Sequence, residues 1–367
     1  MQPFWRLSSA AVVVAIGCSA SHAEPPDAGL LPEAGPPAQP ASSVDLLIVK
    51  QNNARGAYSA YASAGVAGLL DLLMPPDGPP CAALRDIHIG VVTSDLSASE
   101  AVLQEGWYCR APFDDGTLER DVEFFDLDPA HCNGSYPAFE QFPAESREEI
   151  RHVVECKASN QDESGCSAPQ LLEASLKAVA TPGTGISFMD GTAGHGEDVN
   201  AGFLRPGSFL AIVYISSSDD CSIGVTEPAP DCTPAVSDPT RYWPCCDANL
   251  VPVERYVDAF TRLRPDGLQR FAMVASGGLR PELLPGSPLA PIDYDRILGD
   301  PSFADSGAFF SCGRFGVVSP PRRFVQLARA LGDHAFLSGL MCVTSYSEEF
   351  ARMGEFLVDR ICRVSVP

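Results

Sequence analysis

Three side chains at alternate positions, Gln51, Asn53 and Arg55, are the first in the chain whose types and spacing suit chemistry; they lie in the segment VDLLIVKQNNARG (44–56). They follow an apolar run, 44–49, that reads as a buried first strand, and in an open α/β sheet ligands bind outside the carboxyl ends of strands. The amide oxygens of Gln51 and Asn53 are able to coordinate a cation. Arg55 is not, because a guanidinium is permanently charged and has no acceptor. A second cluster, Asp219-Asp220-Cys221, follows the apolar run 209–215. Either these acids hold Ca²⁺ together with loop carbonyls, or they cap the strand end while Cys221 enters a disulfide; the second reading is preferred. His195, in the loop GHGED (194–198), reads as a surface residue and not as a catalyst. Asp126 and Asp128 in DLDPAHC lack the glycine and the terminal bidentate acid that a calcium loop needs.

Other chemistries lack their motifs. There is no G-x-S-x-G nucleophile elbow, and the nearest loop, Ala275-Ser276-Gly277-Gly278, has the wrong order. Neither G-x-x-x-x-G-K nor G-x-G-x-x-G occurs, so no phosphate-binding loop is expected. Zinc is disfavoured as well: the six His include no H-E-x-x-H, and no paired C-x-x-C motifs exist. The chain is therefore expected not to be an enzyme.

The elements that must position these residues alternate between strand and helix. Strands are predicted at 44–49, 87–93, 209–215, 270–275 and 335–340. Helices are predicted at 58–74, 144–157, 168–180, 253–263, 321–331 and 347–362. Such alternation implies an α/β fold, a doubly wound, mostly parallel sheet flanked by helices. The run FLAIVYI (209–215) is apolar on both sides, as a central parallel strand should be. Phe350, Met353, Leu357 and Ile361 recur at helical spacing in the last helix. Gly65 and Gly68 weaken the first one. The stretch 109–141 is read as irregular and disulfide-pinned, and 226–244 and 277–291 as loops.

The chain of 367 residues carries 47 acidic and 25 basic residues, a formal net charge of −22. That charge repels nucleic acid phosphates and anionic lipid surfaces at long range, so neither is an expected partner. Residues 1–23 read as a signal peptide, with Arg6 as the positive start and an apolar stretch too short to span a bilayer. Ala15-Ile16-Gly17-Cys18 resembles a lipobox that would lipidate Cys18; cleavage after Ala23 is the alternative. Residues 24–43 form a Pro-rich linker and 44–367 the folded domain. Of 13 cysteines, setting aside Cys18 leaves twelve: Cys81, Cys109, Cys132, Cys156, Cys166, Cys221, Cys232, Cys245, Cys246, Cys312, Cys342 and Cys362. An even number in an exported chain implies up to six disulfides, whose pairing spacing does not fix.

Several segments together carry a resemblance: VDLLIV (44–49), IHIGVVTSDL (87–96), GCSAPQLLEASLKA (165–178), NAGFLRPGSFLAIVYISSSDDCS (200–222) and RYVDAFTRLRPD (255–266). In order and spacing the chain from 44 to 362 resembles the secreted, often lipid-anchored von Willebrand factor A-like proteins of bacteria. The resemblance implies a Rossmann-like fold with a metal-ion-dependent adhesion site at one edge of the sheet. Such a site takes an Asp-x-Ser-x-Ser loop after the first strand, a Thr from a middle loop and an Asp after the fourth strand. Mg²⁺, a hard cation, is held there by oxygens with one position left for a partner's carboxylate. In this chain the Asp position is Gln51, the Ser positions are Asn53 and Arg55, the Thr position is Glu163, and the last Asp position is Ser217. Asp219 and Asp220 follow just beyond.

The site is therefore expected to be degenerate and to bind neither Mg²⁺ nor Ca²⁺ as a cofactor. Arg55 is expected to stand in for the cation, its charge neutralising some of Glu163, Asp219, Asp220 and Asp95. The functional expectation is an exported, lipid-anchored protein of the bacterial cell envelope that engages a protein partner at the cell surface, in interaction or adhesion. A structural envelope component without a dedicated ligand and a hydrolase of unrecognised type stay open as alternatives.

Overall fold

The computed structural model describes residues 41–52, 57–96, 109–110, 114–122, 132, 134–159, 165–166, 169–188, 192–222, 250–304, 318–343 and 345–364. Residues 1–40, with the stretch read as a signal peptide, Cys18 and most of the stretch read as a linker, lie outside this set, as do Asn53, Arg55, Asp126, Asp128, Glu163, Cys232, Cys245, Cys246 and Cys312.

Six strands form one sheet: β1 (Val44–Lys50), β2 (Ile87–Thr93), β3 (Phe139–Phe142), β4 (Phe209–Ile215), β5 (Phe271–Ser276) and β6 (Ala335–Ser338). Their spatial order is β6-β5-β4-β1-β2-β3. All neighbours are parallel except β2 and β3, which run antiparallel. The major helices are α1 (Ala57–Leu73), α2 (Arg147–Ser159), α3 (Leu171–Val179), α4 (Val253–Arg262), α5 (Arg322–Leu331) and α6 (Tyr346–Arg363).

The apolar strand runs follow from coverage on both faces. Successive side chains point to opposite faces of a strand, and both sets here are buried. Leu47 and Val49 of β1, with Ile212 and Tyr214 of β4, join one core with Leu172 of α3, Tyr256 of α4 and Phe324 of α5. Leu46 and Ile48, with Ala211 and Val213, join a second core with Leu69 of α1, Ile150 of α2 and Phe350 of α6. The glycines of α1 have different roles. A Cβ on Gly65 would fall 1.6 Å from Phe350 Cε2, so the missing side chain lets α6 approach α1; at Gly68 a Cβ would meet nothing within 4 Å.

Element types agree with the sequence reading where it placed an element, the last strand ending at Ser338, while short helices at Tyr294–Leu298 and Pro301–Ala304 and an edge strand were not anticipated. At the end of the stretch read as irregular, and one residue past it, Phe139–Phe142 is an antiparallel edge strand, with Ile87 opposite Phe142 and Gly90 opposite Phe139. Its pattern inverts the usual one. The most buried residue of FEQF is Glu140, satisfied by Lys157 at 2.7 Å, while Phe139 is only half-buried and packs at a tilt against His88 with ring centroids 4.7 Å apart. A charged residue facing inward is invisible to a search for apolar alternation.

Disulfides join Cys81 to Cys362, which clips α6 to the turn before β2, and Cys132 to Cys156 of α2. Cys221 and Cys342 are also disulfide-bonded. Cys109 and Cys166 lie opposite each other in a two-residue antiparallel pairing. The fold takes in residues ahead of β1: Ala41 is buried and its N–H donates to Val364 O at 2.9 Å. Among the described residues no helix is long and apolar enough to cross a membrane.

Candidate functional site

The sheet order reverses between β1 and β4: the chain builds outward through β2 and β3 on one side and through β5 and β6 on the other. At such a point the loops leaving adjacent strands diverge and open a crevice at their carboxyl ends. Gln51 follows β1 there, and Ser216, Ser217 and Ser218 follow β4.

These residues satisfy one another. Gln51 Oε1 accepts from Ser216 Oγ, Ser217 N and Ser217 Oγ, each at 3.0 Å. Gln51 Nε2 donates to Ser218 Oγ at 3.2 Å. The loop after β2 joins through Ser94, whose N–H donates to Lys50 O at 2.8 Å and whose Oγ accepts from Asn52 N at 3.1 Å. Asp95 is buried beside it, its N–H donating to Thr93 Oγ1 at 3.2 Å and its carbonyl accepting from Asp115 N at 3.0 Å.

The two acids after β4 turn to two helices. Neither α3 nor α5 has a hydrogen-bonding side-chain cap at its own N-cap position, Gln170 and Pro321 respectively. Asp220 Oδ1 accepts from Leu172 N at 2.9 Å, capping α3, and Asp219 accepts from Arg323 N with both oxygens at 3.1 Å, capping α5. A carboxylate at a helix N-terminus satisfies free N–H groups and meets the positive end of the helix dipole. Asp220 Oδ2 also accepts from Arg323 Nε at 2.9 Å, and Arg323 Nη2 donates to Val251 O at 2.7 Å. Burial pushes the Asp219 carboxyl up to about 7 against the lowering effect of Arg323, whose side chain pairs with Asp220.

A further buried acid lies in the first turn of α3. Glu173 accepts from both terminal nitrogens of Arg255 and from Tyr256 Oη at 2.9 Å, and its N–H donates to Ser222 Oγ at 3.1 Å. Burial raises its pKa, opposed by Arg255. His195 is half-buried: its Nε2 lies 2.9 Å from Asp115 O and 3.4 Å from Asp115 Oδ2. The hydrogen bond to the Asp115 side chain raises its pKa.

Among the described residues the polar groups at this edge are turned toward one another; Asn53, Arg55 and Glu163 lie outside them. A carbonyl oxygen has two lone pairs, and the one on Gln51 accepts from Ser217 N and Ser217 Oγ, while Ser216 Oγ divides its single proton between it and Ser218 O at 2.8 Å. The hydroxyls of Ser216 and Ser217 act as donors toward it, and Asp219 and Asp220 are committed to helix ends and Arg323. Among the described residues no group of three His, Cys, Asp or Glu could hold a metal. What the arrangement offers is a neutral, hydrogen-bonded ridge with Ser217 and Ser218 half-exposed.

The structure brings Gln51 and Ser217 into direct contact, and sets Asp219 and Asp220 on the same loop with their side chains aimed elsewhere. Sequence reasoning missed Ser216, Ser218 and Arg323. The signal for the last was present: two arginines, Arg322 and Arg323, open α5 with no acid in its first turn. That placement opposes the helix dipole unless a carboxylate lies close by. No family model matches the chain, and neither a curated protein nor a solved structure shows significant similarity to it.

Proposed function

We propose that the chain is an exported, lipid-anchored von Willebrand factor A-like module that engages a protein partner at the cell surface without a divalent cation. The observation that carries the metal-free reading is Gln51, whose amide oxygen is saturated by Ser216 and Ser217 where a cation would need a free lone pair. The strand order supports the Rossmann-like reading, since doubly wound sheets place their binding edge at the reversal between β1 and β4. The disulfides, Cys81–Cys362, Cys132–Cys156 and the bonding of Cys221 and Cys342, support export, because such bonds persist in oxidising compartments. Half-exposed Ser217 and Ser218 form the rim a partner would meet.

Two measurements test this. Thermal melts in Mg²⁺, Mn²⁺ and EDTA should coincide, because a ligand of the native state raises the midpoint by linkage; a clear cation-dependent rise would overturn the metal-free reading. Capture of envelope proteins by the chain lacking residues 1–23 should proceed equally in Mg²⁺ and EDTA and fall with Ser217→Arg. Failure to capture a partner under either condition would remove the interaction reading and favour a structural component.

A further inference from the structure

Lys157, on α2, and Glu140, on the edge strand β3, meet in the interior. Lys157 Nζ donates to Glu140 Oε1 at 2.7 Å and to Pro137 O at 2.6 Å, and the two side chains are only 0% and 2% exposed. Two charges are costly to hold away from water, whereas an uncharged product of the same groups is not. Burial pulls the Lys157 ammonium below the usual lysine range, against the hydrogen bond and charge of Glu140. A lysine that sheds its proton is a nucleophile, and the carboxyl it touches carries an electrophilic carbon. That carbon lies about 1.2 Å from its oxygens. Glu140 Cδ is therefore within about 4 Å of Nζ, against roughly 3–3.5 Å for atoms poised to react.

We propose that Lys157 and Glu140 are joined by an intramolecular isopeptide bond, an amide between Nζ and Cδ that ties β3 to α2. The step needs no co-reactant. One ammonium proton passes to Oε1 along the existing hydrogen bond, and the electron pair it leaves on Nζ attacks Cδ. As the Nζ–Cδ bond forms, a second Nζ proton follows to Oε1. The Cδ–Oε1 bond then breaks with its electrons on the oxygen, which departs as water, and nothing is oxidised or reduced. The third proton stays on the amide nitrogen, where Pro137 O already accepts from it.

The fold supplies what the reaction requires. Packing α2 on the sheet edge holds the two groups in contact, which makes the condensation unimolecular, and burial keeps bulk water from reversing it. The bond also complements its neighbour. Cys156, the residue before Lys157, is bound to Cys132, so α2 is tied at adjacent positions by a disulfide and an amide. Reductant opens the first and leaves the second, and the edge strand stays fixed in either redox state.

Peptide mapping of the full chain by mass spectrometry, after reduction, alkylation and trypsin, reads the bond directly. The expected result is a branched peptide that joins the segment holding Glu140 to the segment holding Lys157, with no cleavage after Lys157. Its mass should fall short of the two linear peptides together by one water. Lys157→Arg keeps a positive charge for Glu140 but removes the primary amine, and should give linear peptides only. The wild-type map decides the matter by itself, so the test stands even where the variant misfolds. Linear peptides alone from the wild type, with trypsin cutting after Lys157, overturn the proposal, as does a branched peptide that persists in Lys157→Arg.

Discussion

The Arg323 side chain and the Asp220 carboxylate form a buried pair, Nε to Oδ2 at 2.9 Å, where the loop after β4 meets the N-termini of α3 and α5. The pair sits in a helix-capping arrangement, with Asp220 on Leu172 N and the backbone of Arg323 on Asp219. One loop thereby organises two helices on the same face of the sheet. Arg323→Met should destabilise the chain by about 3–5 kcal/mol, the range for removing one partner of a buried pair. Denaturant unfolding measures it. A loss under about 1 kcal/mol would mean that Asp220 is satisfied without Arg323.

Gln51→Ala should leave Ser217 N–H and Oγ without the acceptor they share, while Ser216 Oγ keeps Ser218 O at 2.8 Å. Unsatisfied buried polar groups cost about 1–3 kcal/mol, and the unfolding free energy should fall by that amount. Ser218→Ala removes only the 3.2 Å bond to Gln51 Nε2 among these contacts and should cost less. If the two variants are equally stable, the amide oxygen is not the organising acceptor of the ridge.

Asp219 gives the site a pH signature. Burial raises its folded pKa from 3.8 to about 7, so the protonated form is favoured in the native state. Its contribution to stability is complete below 3.8, the unfolded value, and is lost as pH rises through about 7. Urea midpoints measured from pH 5 to pH 8.5 should fall, and Asp219→Asn should flatten that part of the slope. A slope unchanged in the variant would place the titration elsewhere.

Gly65→Ala should be destabilising although alanine is the better helix former. The added methyl would overlap the Phe350 ring, with three of its atoms within 2.2 Å of the ideal Cβ position. Overpacking a core costs about 1–3 kcal/mol, more than the roughly 1 kcal/mol gained in helix propensity. Phe350→Leu in the same chain should recover part of the loss. Additive penalties in the double variant would show that the two positions do not share the strain.

Much of the fold was legible from local pattern. The apolar runs at β1, β2 and β4, and the helical spacing of Phe350, Met353, Leu357 and Ile361, identify elements because burial on two faces or on one stripe leaves a periodic trace. The edge strand left none, since Glu140 occupies its inward position and is tolerated only because Lys157 reaches it from another element. In the candidate site, the placement of Gln51 and Ser217 at neighbouring strand ends was what the family resemblance implied; the runs alone did not say which strands are adjacent. The role of Asp219 and Asp220 was not.

The sequence by itself determined which segments become strands and helices, and that the loops after β1 and β4 carry polar residues at their carboxyl ends. Those are short-range properties, encoded in hydrophobic period and backbone preference. Only the tertiary structure decided where each polar group finds its partner. Gln51 turns to serines 165 and 166 residues away, and Asp220 to a helix end 48 residues before it and an arginine 103 residues after it. Hydrogen bonds and ion pairs are matched across space once the helices have packed, and in that matching Gln51 became a saturated acceptor, with a neutral ridge at the reversal of the sheet.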